Sequence, residues 1–403
     1  MLSTINDAER FGINIQGEIS ADYSFGVARS RQVVDRLTRG VDSLLKKNKI
    51  DLFIGNASFI DTNQIGVGDE KIDARNIVVA TGARPRLLPS VEVDGTVVVT
   101  YREAIVQTTC PKNVVIIGGG VIGVEFAYIY RAYGANVTIV EMEGNVLPRE
   151  DEEISKLLTR SLESQGIKLY TGTKVLNVQR DSDDSATVEL QSNRGTEQVH
   201  ADRVLVAIGI QANVEELNLD KAAIEVEKGF IKVDQNLQTT GKDIYAIGDV
   251  TGIKPLAHVA QAQGTFVAEY IAGEQSYQLD YSNMPSAVYC VPQVASMGIT
   301  EQEARTQGLN HKIGRFPFLA NGKALALGET DGLVKVIVDE DSGELLGAHL
   351  IGHEVTELLG ELSLTRLMEG THIEVGAVVN AHPSISEAIK EAALAATGKA
   401  IHI

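Results

Sequence analysis

Between Val114 and Glu141 the chain reads VVIIGGGVIGVEFAYIYRAYGANVTIVE. Four apolar residues, Val114 to Ile117, run straight into Gly118, Gly119 and Gly120, with Gly123 close behind. An apolar segment then extends to Tyr133, Gly134 stops it, and Val137 to Val140 is apolar again. The pattern predicts a strand, a glycine-rich turn, a helix and a second strand, which together make one βαβ unit. In such a unit Gly118 permits the tight turn, Gly120 lets a pyrophosphate approach the backbone, and Gly123 lets helix and strand pack closely. The free N–H groups at the helix start, with their partial positive charge, then face the phosphates.

A G-x-G-x-x-G by itself carries little weight. Here it ends in an acid at the tip of the second strand, Glu141, near the spacing of about 20 residues at which a carboxylate binds a ribose 2′-hydroxyl. The alternative, a glycine-rich loop in another α/β protein with no ligand, leaves the agreement of glycines, helix and acid unexplained. Glu141 and Glu143 would repel a 2′-phosphate, and the next basic residue is Arg149, so the site favours NAD over NADP.

A chain of 403 residues has room for two to four domains. The formal net charge of −18 argues against nucleic acid and anionic membranes as partners, and its plain reading is solubility. No apolar run approaches the roughly 20 residues that span a bilayer. The two cysteines, Cys110 and Cys290, lack metal-ligand spacing and exclude a disulfide scaffold. Sparse cysteine suits a reducing compartment, and the N-terminus shows neither a signal peptide nor an arginine-rich presequence, so a cytoplasmic location is expected.

Taken in order, Phe25, Val33, Val34, Leu37, Val41, Leu44 and Leu45 recur at helical spacing, which predicts one long amphipathic helix over 23–48. Leu52 to Ile60 and Gln64 to Val67 suggest a hairpin. Buried strands are expected at Ile77–Ala80, Val204–Ile208 and Ile244–Ile247, and helices at 151–165 and Leu256–Ala272. Beyond Asn283 the texture changes. Strands at 293–298, 333–338 and 345–351 alternate with helices at 301–307, 354–369 and 383–397, and a domain boundary falls there. The fold class expected is α/β: Rossmann-like dinucleotide-binding domains followed by a C-terminal α+β domain.

Two further motifs stand out. The strand ends at Thr81–Gly82–Ala83 and Gly248–Asp249 each look like ordinary turn chemistry alone. Beside a nicotinamide-type unit they suggest a second dinucleotide, a flavin, with Asp249 accepting from a sugar-like hydroxyl chain. The other motif is His382–Pro383–Ser384–Ile385–Ser386–Glu387. Pro383 suits the first helical position and would hold His382 extended just outside the helix. Glu387, one turn in, would reach back to the imidazole, fix its tautomer and leave the other nitrogen as a general base. On these residues alone, a capped helix start with a solvated Glu387 is the simpler reading. His349 and His353 are four apart, but a strand end and a glycine separate them, so no metal site is assigned.

GGGVIGVE at 118–125, the acid at 141, AIGDV at 246–250, PLAH at 255–258 and HPSISE at 382–387 resemble the dihydrolipoyl dehydrogenases. These are flavoprotein disulfide reductases that form the flavin component of 2-oxo acid dehydrogenase complexes. The resemblance runs from about residue 10 to the C-terminus in the same order. It implies a homodimer with a remnant of an FAD-binding domain at 1–84, an NAD-binding domain at 85–214, the rest of the FAD-binding or central domain at 215–283, and an interface domain at 284–403. FAD would lie against Ala57, Thr81, Gly82, Ala83, Asp249, Pro255, Leu256, Ala257 and His258. NAD would lie against Gly118, Gly119, Gly120, Val121, Ile122, Gly123, Val124, Glu125, Glu141, Val175 and Gly209. His382 and Glu387 would be the acid–base pair, given across the dimer interface to the partner's active site. The reaction implied is oxidation of protein-bound dihydrolipoamide, with lipoyl domains of the acyltransferase component as partners.

The chain departs from the family pattern twice. At 209–213 it has Gly-Ile-Gln-Ala-Asn where many members have arginine and proline. More seriously, the family begins with its own G-x-G-x-x-G for the FAD pyrophosphate and a Cys-x4-Cys redox pair, and the 403 residues contain neither. The expectation is an N-terminally incomplete form that lacks the redox disulfide. The competing expectations are a non-catalytic, dimeric NAD-binding fragment, or another disulfide reductase. Glutathione reductase would want basic residues near Glu141, and mercuric reductase a C-terminal cysteine pair that the tail lacks.

Overall fold

The computed structural model describes residues 4–5, 8–17, 19–274 and 277–403. The chain forms two compact units: one of Met1–Ala28, Leu87–Ile208 and Ser282–Ile403, the other of Arg29–Arg86 and Gly209–Tyr281.

At the centre of the first unit is a parallel five-stranded sheet in the order Val98–Val99, Arg203–Val206, Asn113–Ile117, Asn136–Val140, Lys168–Tyr170. The apolar run at 114–117 is its middle strand, and its side chains alternate between two cores as strand geometry requires. Val114 and Ile116 face the helices Val121–Ala132 and Glu152–Ser164, meeting Val124, Ala127, Ile154, Leu158 and Leu162. Val115 and Ile117 face Ala186, Val188 and Leu190 of an antiparallel sheet built from Lys174–Ser182, Ser185–Ser192 and Gly195–Ala201. A continuous apolar strand is therefore needed because both faces are covered.

The same unit carries an antiparallel five-stranded sheet in the order Ser286–Val288, Gln293–Gly298, Leu345–Gly352, Leu333–Asp339, His311–Pro317. Helices Val355–Leu367 and Glu387–Ala395 pack Leu359, Leu362, Ala388, Ile389 and Ala392 onto it.

The second unit contains the parallel pair Ile77–Val79 and Ile244–Ala246, the antiparallel strands Ala57–Phe59, Gln64–Val67 and Glu70–Asp73, and helix Ala257–Ala272. Its core holds Phe59, Ile77, Val79, Ile244 and Ala246.

Two expectations are corrected. The hairpin exists, but its first strand is only Ala57–Phe59, paired with Gln64–Val67 and extended by a third strand. Gly55 and Asn56 interrupt the apolar run, and Leu52, Phe53 and Ile54 are exposed. The second correction concerns the helix expected at 383–397, which spans Glu387–Ala395. Pro383 therefore does not occupy its first position, and Glu387 opens the helix instead of lying one turn inside it. The helix is capped at Ser386 without a side-chain bond, and the Glu387 carboxylate reaches back to accept the Ser384 N–H at 2.8 Å. That bond ties residue 384 to the first helical position at 387, so Pro383 to Ser386 stay outside the helix. The long helix occurs at Tyr23–Lys47, with Phe25, Val33, Val34, Leu37, Val41 and Leu44 exposed.

Candidate functional site

In the first unit, Gly120 caps helix Val121–Ala132 without a side-chain hydrogen bond, so its first N–H groups remain open to a ligand. Gly118 has φ +109°, and a Cβ there would lie 2.3 Å from the Ala207 carbonyl oxygen. A Cβ on Gly120 would meet nothing within 4 Å, which is the open approach a pyrophosphate needs. The Glu141 carboxylate accepts the Gly119 N–H at 2.7 Å through Oε2 and the Glu143 N–H at 2.9 Å through Oε1. It is therefore fixed at the rim of the glycine turn and keeps lone pairs for a ribose hydroxyl.

The remaining residues of this group divide by role. Val124 is fully buried in the core, and Ile122 packs against it. Val121 is exposed, and Val175 is half-buried beside the second core. Glu125 accepts the Tyr289 N–H at 2.9 Å, and burial pushes its carboxyl pKa up. Gly209 belongs to the other unit, where it has φ +110° and its carbonyl accepts the Arg86 N–H.

In the second unit, Thr81 and Asn213 lock two strand ends together. Thr81 Oγ1 donates to the Asn213 carbonyl at 2.9 Å, and Asn213 Nδ2 returns a bond to the Thr81 carbonyl at 2.9 Å. Gly82 follows at φ +66° with nothing within 4 Å of a built Cβ, and Ala83 begins the next strand. Burial pushes the Asp249 carboxyl pKa up, and the carboxylate has no hydrogen-bond partner among the described residues. A half-buried, unpaired acceptor at a strand tip fits a polyhydroxyl chain. Leu256 caps helix Ala257–Ala272 with no side-chain bond, after Pro255; Ala257 and His258 open the first turn, and Ala57 begins a strand elsewhere in the unit.

Sequence reading missed two supports of this region. Gln263, fully buried, accepts the Gly248 N–H at 2.6 Å and donates to Tyr281 at 3.0 Å, which sets the turn that carries Asp249. Arg84 forms a forked ion pair with Glu215, 131 residues away. Gln263 gives a small signal as a polar residue on the apolar face of a helix; the Arg84 pair gives none.

His382 Nδ1 lies 2.9 Å from Glu387 Oε1, and the His382 side chain is 80% exposed. Burial would raise the Glu387 carboxyl pKa, but the Ser384 N–H and the imidazole outweigh it and hold it below its usual range. The Nδ1 contact leaves Nε2 directed away from the carboxylate, as a general base requires. His349 is buried with Nε2 on the Ile299 carbonyl at 2.8 Å, while His353 follows the strand end.

Fold and sites define a protein built to bind dinucleotides, with a histidine–carboxylate pair at the start of helix Glu387–Ala395. The family model for the pyridine nucleotide-disulphide oxidoreductases matches residues 4–264, and that family's dimerisation domain matches residues 284–393. The chain belongs to the pyridine nucleotide-disulphide oxidoreductase family. Curated relatives include the dihydrolipoyl dehydrogenase of Bacillus subtilis, 41% identical over 99% of this chain and 87% of the relative. That of Zymomonas mobilis is 42% identical over 99% and 86%. Among solved structures, LpdA from Mycobacterium tuberculosis aligns with a TM-score of 0.89 at 25% identity, over 97% of this chain and 86% of that one. The HOCl-induced flavoprotein disulfide reductase RclA from Escherichia coli aligns with a TM-score of 0.84 at 26% identity, over 97% and 88%. Among the described residues no helix is long and apolar enough to cross a membrane.

Proposed function

We propose that this chain is a dihydrolipoyl dehydrogenase, oxidising protein-bound dihydrolipoamide to lipoamide with FAD and NAD. The relatives' shared activity at about 40% identity supports the class, and the His382–Glu387 pair at 2.9 Å is the observation that carries the chemistry. The overall change is balanced: the dithiol loses two electrons and two protons, NAD gains a hydride, and one proton is released. His382 Nε2 takes a thiol proton, which matters because a thiol of pKa about 8.5 is otherwise mostly protonated near neutrality. Glu387 holds the ring and stabilises its cationic form.

Residues Gly118 to Glu125 with Glu141 would hold NAD, and Thr81 to Ala83 with Asp249 would hold FAD. When bound, the two cofactors supply a two-electron path from sulfur to nicotinamide. The 403 residues contain no Cys-x4-Cys pair. Cys110 and Cys290 are 180 positions apart in number, and burial pushes the Cys290 thiol up to about 12, far from a reactive thiolate. The family's dimerisation domain supports a homodimer, in which the acid–base pair would serve the partner's site. Lipoyl domains in the cytoplasm are the proposed protein substrates.

The test is to fuse the N-terminal segment of a dihydrolipoyl dehydrogenase, carrying both its first G-x-G-x-x-G and its Cys-x4-Cys, to this chain and assay it with two substrate pairs. Reduction of NAD by dihydrolipoamide is the expected result. Reduction of glutathione disulfide by NADPH, without the lipoamide reaction, would overturn the assignment.

A further inference from the structure

A second histidine–carboxylate pair lies one helical turn from the first. Glu391 follows Glu387 by four residues on helix Glu387–Ala395, so the two share a face. Its side chain is 6% exposed. Its Oε2 accepts the Ile401 N–H at 2.9 Å and the His402 N–H at 3.3 Å, and its Oε1 lies 2.9 Å from His402 Nδ1. These are its only partners among the described residues, and all come from two residues at the end of the chain.

The sequence between helix and tail makes the return possible. Gly398 takes φ +68°, and the Lys399 N–H bonds back to the Leu394 carbonyl at 2.9 Å, a glycine helix stop that reverses the chain. A buried carboxylate without partners is costly. Glu391 is satisfied only while the tail is docked, so a charge requirement holds the tail in place, while Ile401 and Ile403 are exposed.

We infer that Glu391 latches residues 401 and 402 onto this helix and so holds the His402 ring one helical turn from the His382–Glu387 pair. The inference rests on the role given to that pair above. Burial would raise the Glu387 carboxyl, the Ser384 N–H and His382 outweigh it, and His402, held on Glu391 one turn away, adds the smallest contribution. Charged groups on the packed elements are engaged elsewhere. On strand His311–Pro317, His311 meets the Leu309 carbonyl, Lys312 pairs with Glu340, and Arg315 pairs with Glu153 and Glu301. On helix His372–Ala377, His372 meets the Gly343 carbonyl and Glu374 caps Thr371. On strand Leu333–Asp339, Lys335 sits in a separate buried cluster and Asp339 binds the Ser342 N–H. Lys390 lies on the helix itself, between the two glutamates.

The experiment uses the 403-residue chain. Amide hydrogen exchange at Ile401 and His402 is compared between the wild type and Glu391→Gln, and the Glu387 carboxyl is titrated by carbon NMR in the wild type, His402→Asn and His382→Asn. The latch requires the two tail amides to exchange about tenfold faster or more in Glu391→Gln. It also requires His402→Asn to raise the Glu387 midpoint by about 0.2–0.7 pH units, the worth of an exposed ion pair. Unchanged tail exchange, or an unmoved Glu387 midpoint in His402→Asn, overturns it. His402→Asn alters an exposed ring, so this arm does not depend on the buried variant folding. A Glu387 midpoint that ignores His382→Asn but responds to His402→Asn would overturn the acid–base pair while leaving the latch standing.

Discussion

The Glu141 carboxylate and the Gly119 N–H are joined at 2.7 Å across 22 residues of sequence. The acid that ends the second strand is therefore tied to the glycine turn that ends the first. One residue both shapes the loop and offers its charge where a ribose would lie. Replacing Glu141 with Ala removes this acceptor from Gly119 and from Glu143.

Binding of NADH to Glu141→Ala is expected to weaken by about 1.5–3 kcal/mol, the worth of a hydrogen bond to a charged group. NADPH binding is expected to improve relative to NADH, because a repulsive carboxylate has gone. Nicotinamide fluorescence titrations of the purified chain measure both. Equal affinity of wild type and variant for NADH would remove Glu141 from the site.

Lys335 is buried and binds Asp151 at 2.7 Å, Glu301 at 2.7 Å and Glu153 at 3.0 Å. Asp151 also caps helix Glu152–Ser164 through the Glu153 N–H. Replacing Lys335 with Met leaves Asp151 buried without its cation, and a loss of about 3–5 kcal/mol in unfolding free energy is expected. Denaturant unfolding followed by circular dichroism measures it. A loss under about 1 kcal/mol would mean that the cluster behaves as a solvated surface pair.

The same cluster sets an acid limit. Burial alone would raise the Asp151 and Glu301 carboxyl pKa values, but Lys335 outweighs it and both lie below their ordinary 3.8 and 4.5. A carboxylate held lower in the folded state stabilises fully above its unfolded value, and that contribution is lost as pH falls through the folded value. Stability is therefore expected to fall as pH drops below about 4.5, with a shallower fall in Asp151→Asn. Denaturation midpoints measured across that range for both proteins provide the check.

The dinucleotide unit was legible because its information is local. Apolar runs, glycines and a terminal acid follow one another within 28 residues, and the strand at 114–117 is apolar on both faces because both are covered. The Asp151–Lys335 pair was not legible, since its partners stand 184 positions apart and neither carries a local pattern. Around His382 a local rule failed. Proline at a first helical position pointed to a start at 383, whereas the helix begins at Glu387, whose carboxylate is bonded to the Ser384 N–H outside it. On the residues alone a solvated Glu387 was the simpler reading and the pairing with His382 came from the family resemblance; the 2.9 Å contact decides for the pairing. Glu391 and His402 escaped notice because their contact depends on the chain reversal at Gly398.

The most direct measurement concerns His382 in the chain fused to a segment carrying the family's first G-x-G-x-x-G and its Cys-x4-Cys. Dihydrolipoamide-dependent reduction of NAD and NADH-dependent reduction of ferricyanide are assayed side by side for wild type and His382→Gln. Only the first reaction needs a thiol proton removed. The expected result is a loss of roughly 10²–10⁴ in the lipoamide reaction with the ferricyanide reaction retained. A lipoamide rate within threefold of wild type would contradict general-base catalysis at His382 and return the residue to a place beside a helix cap.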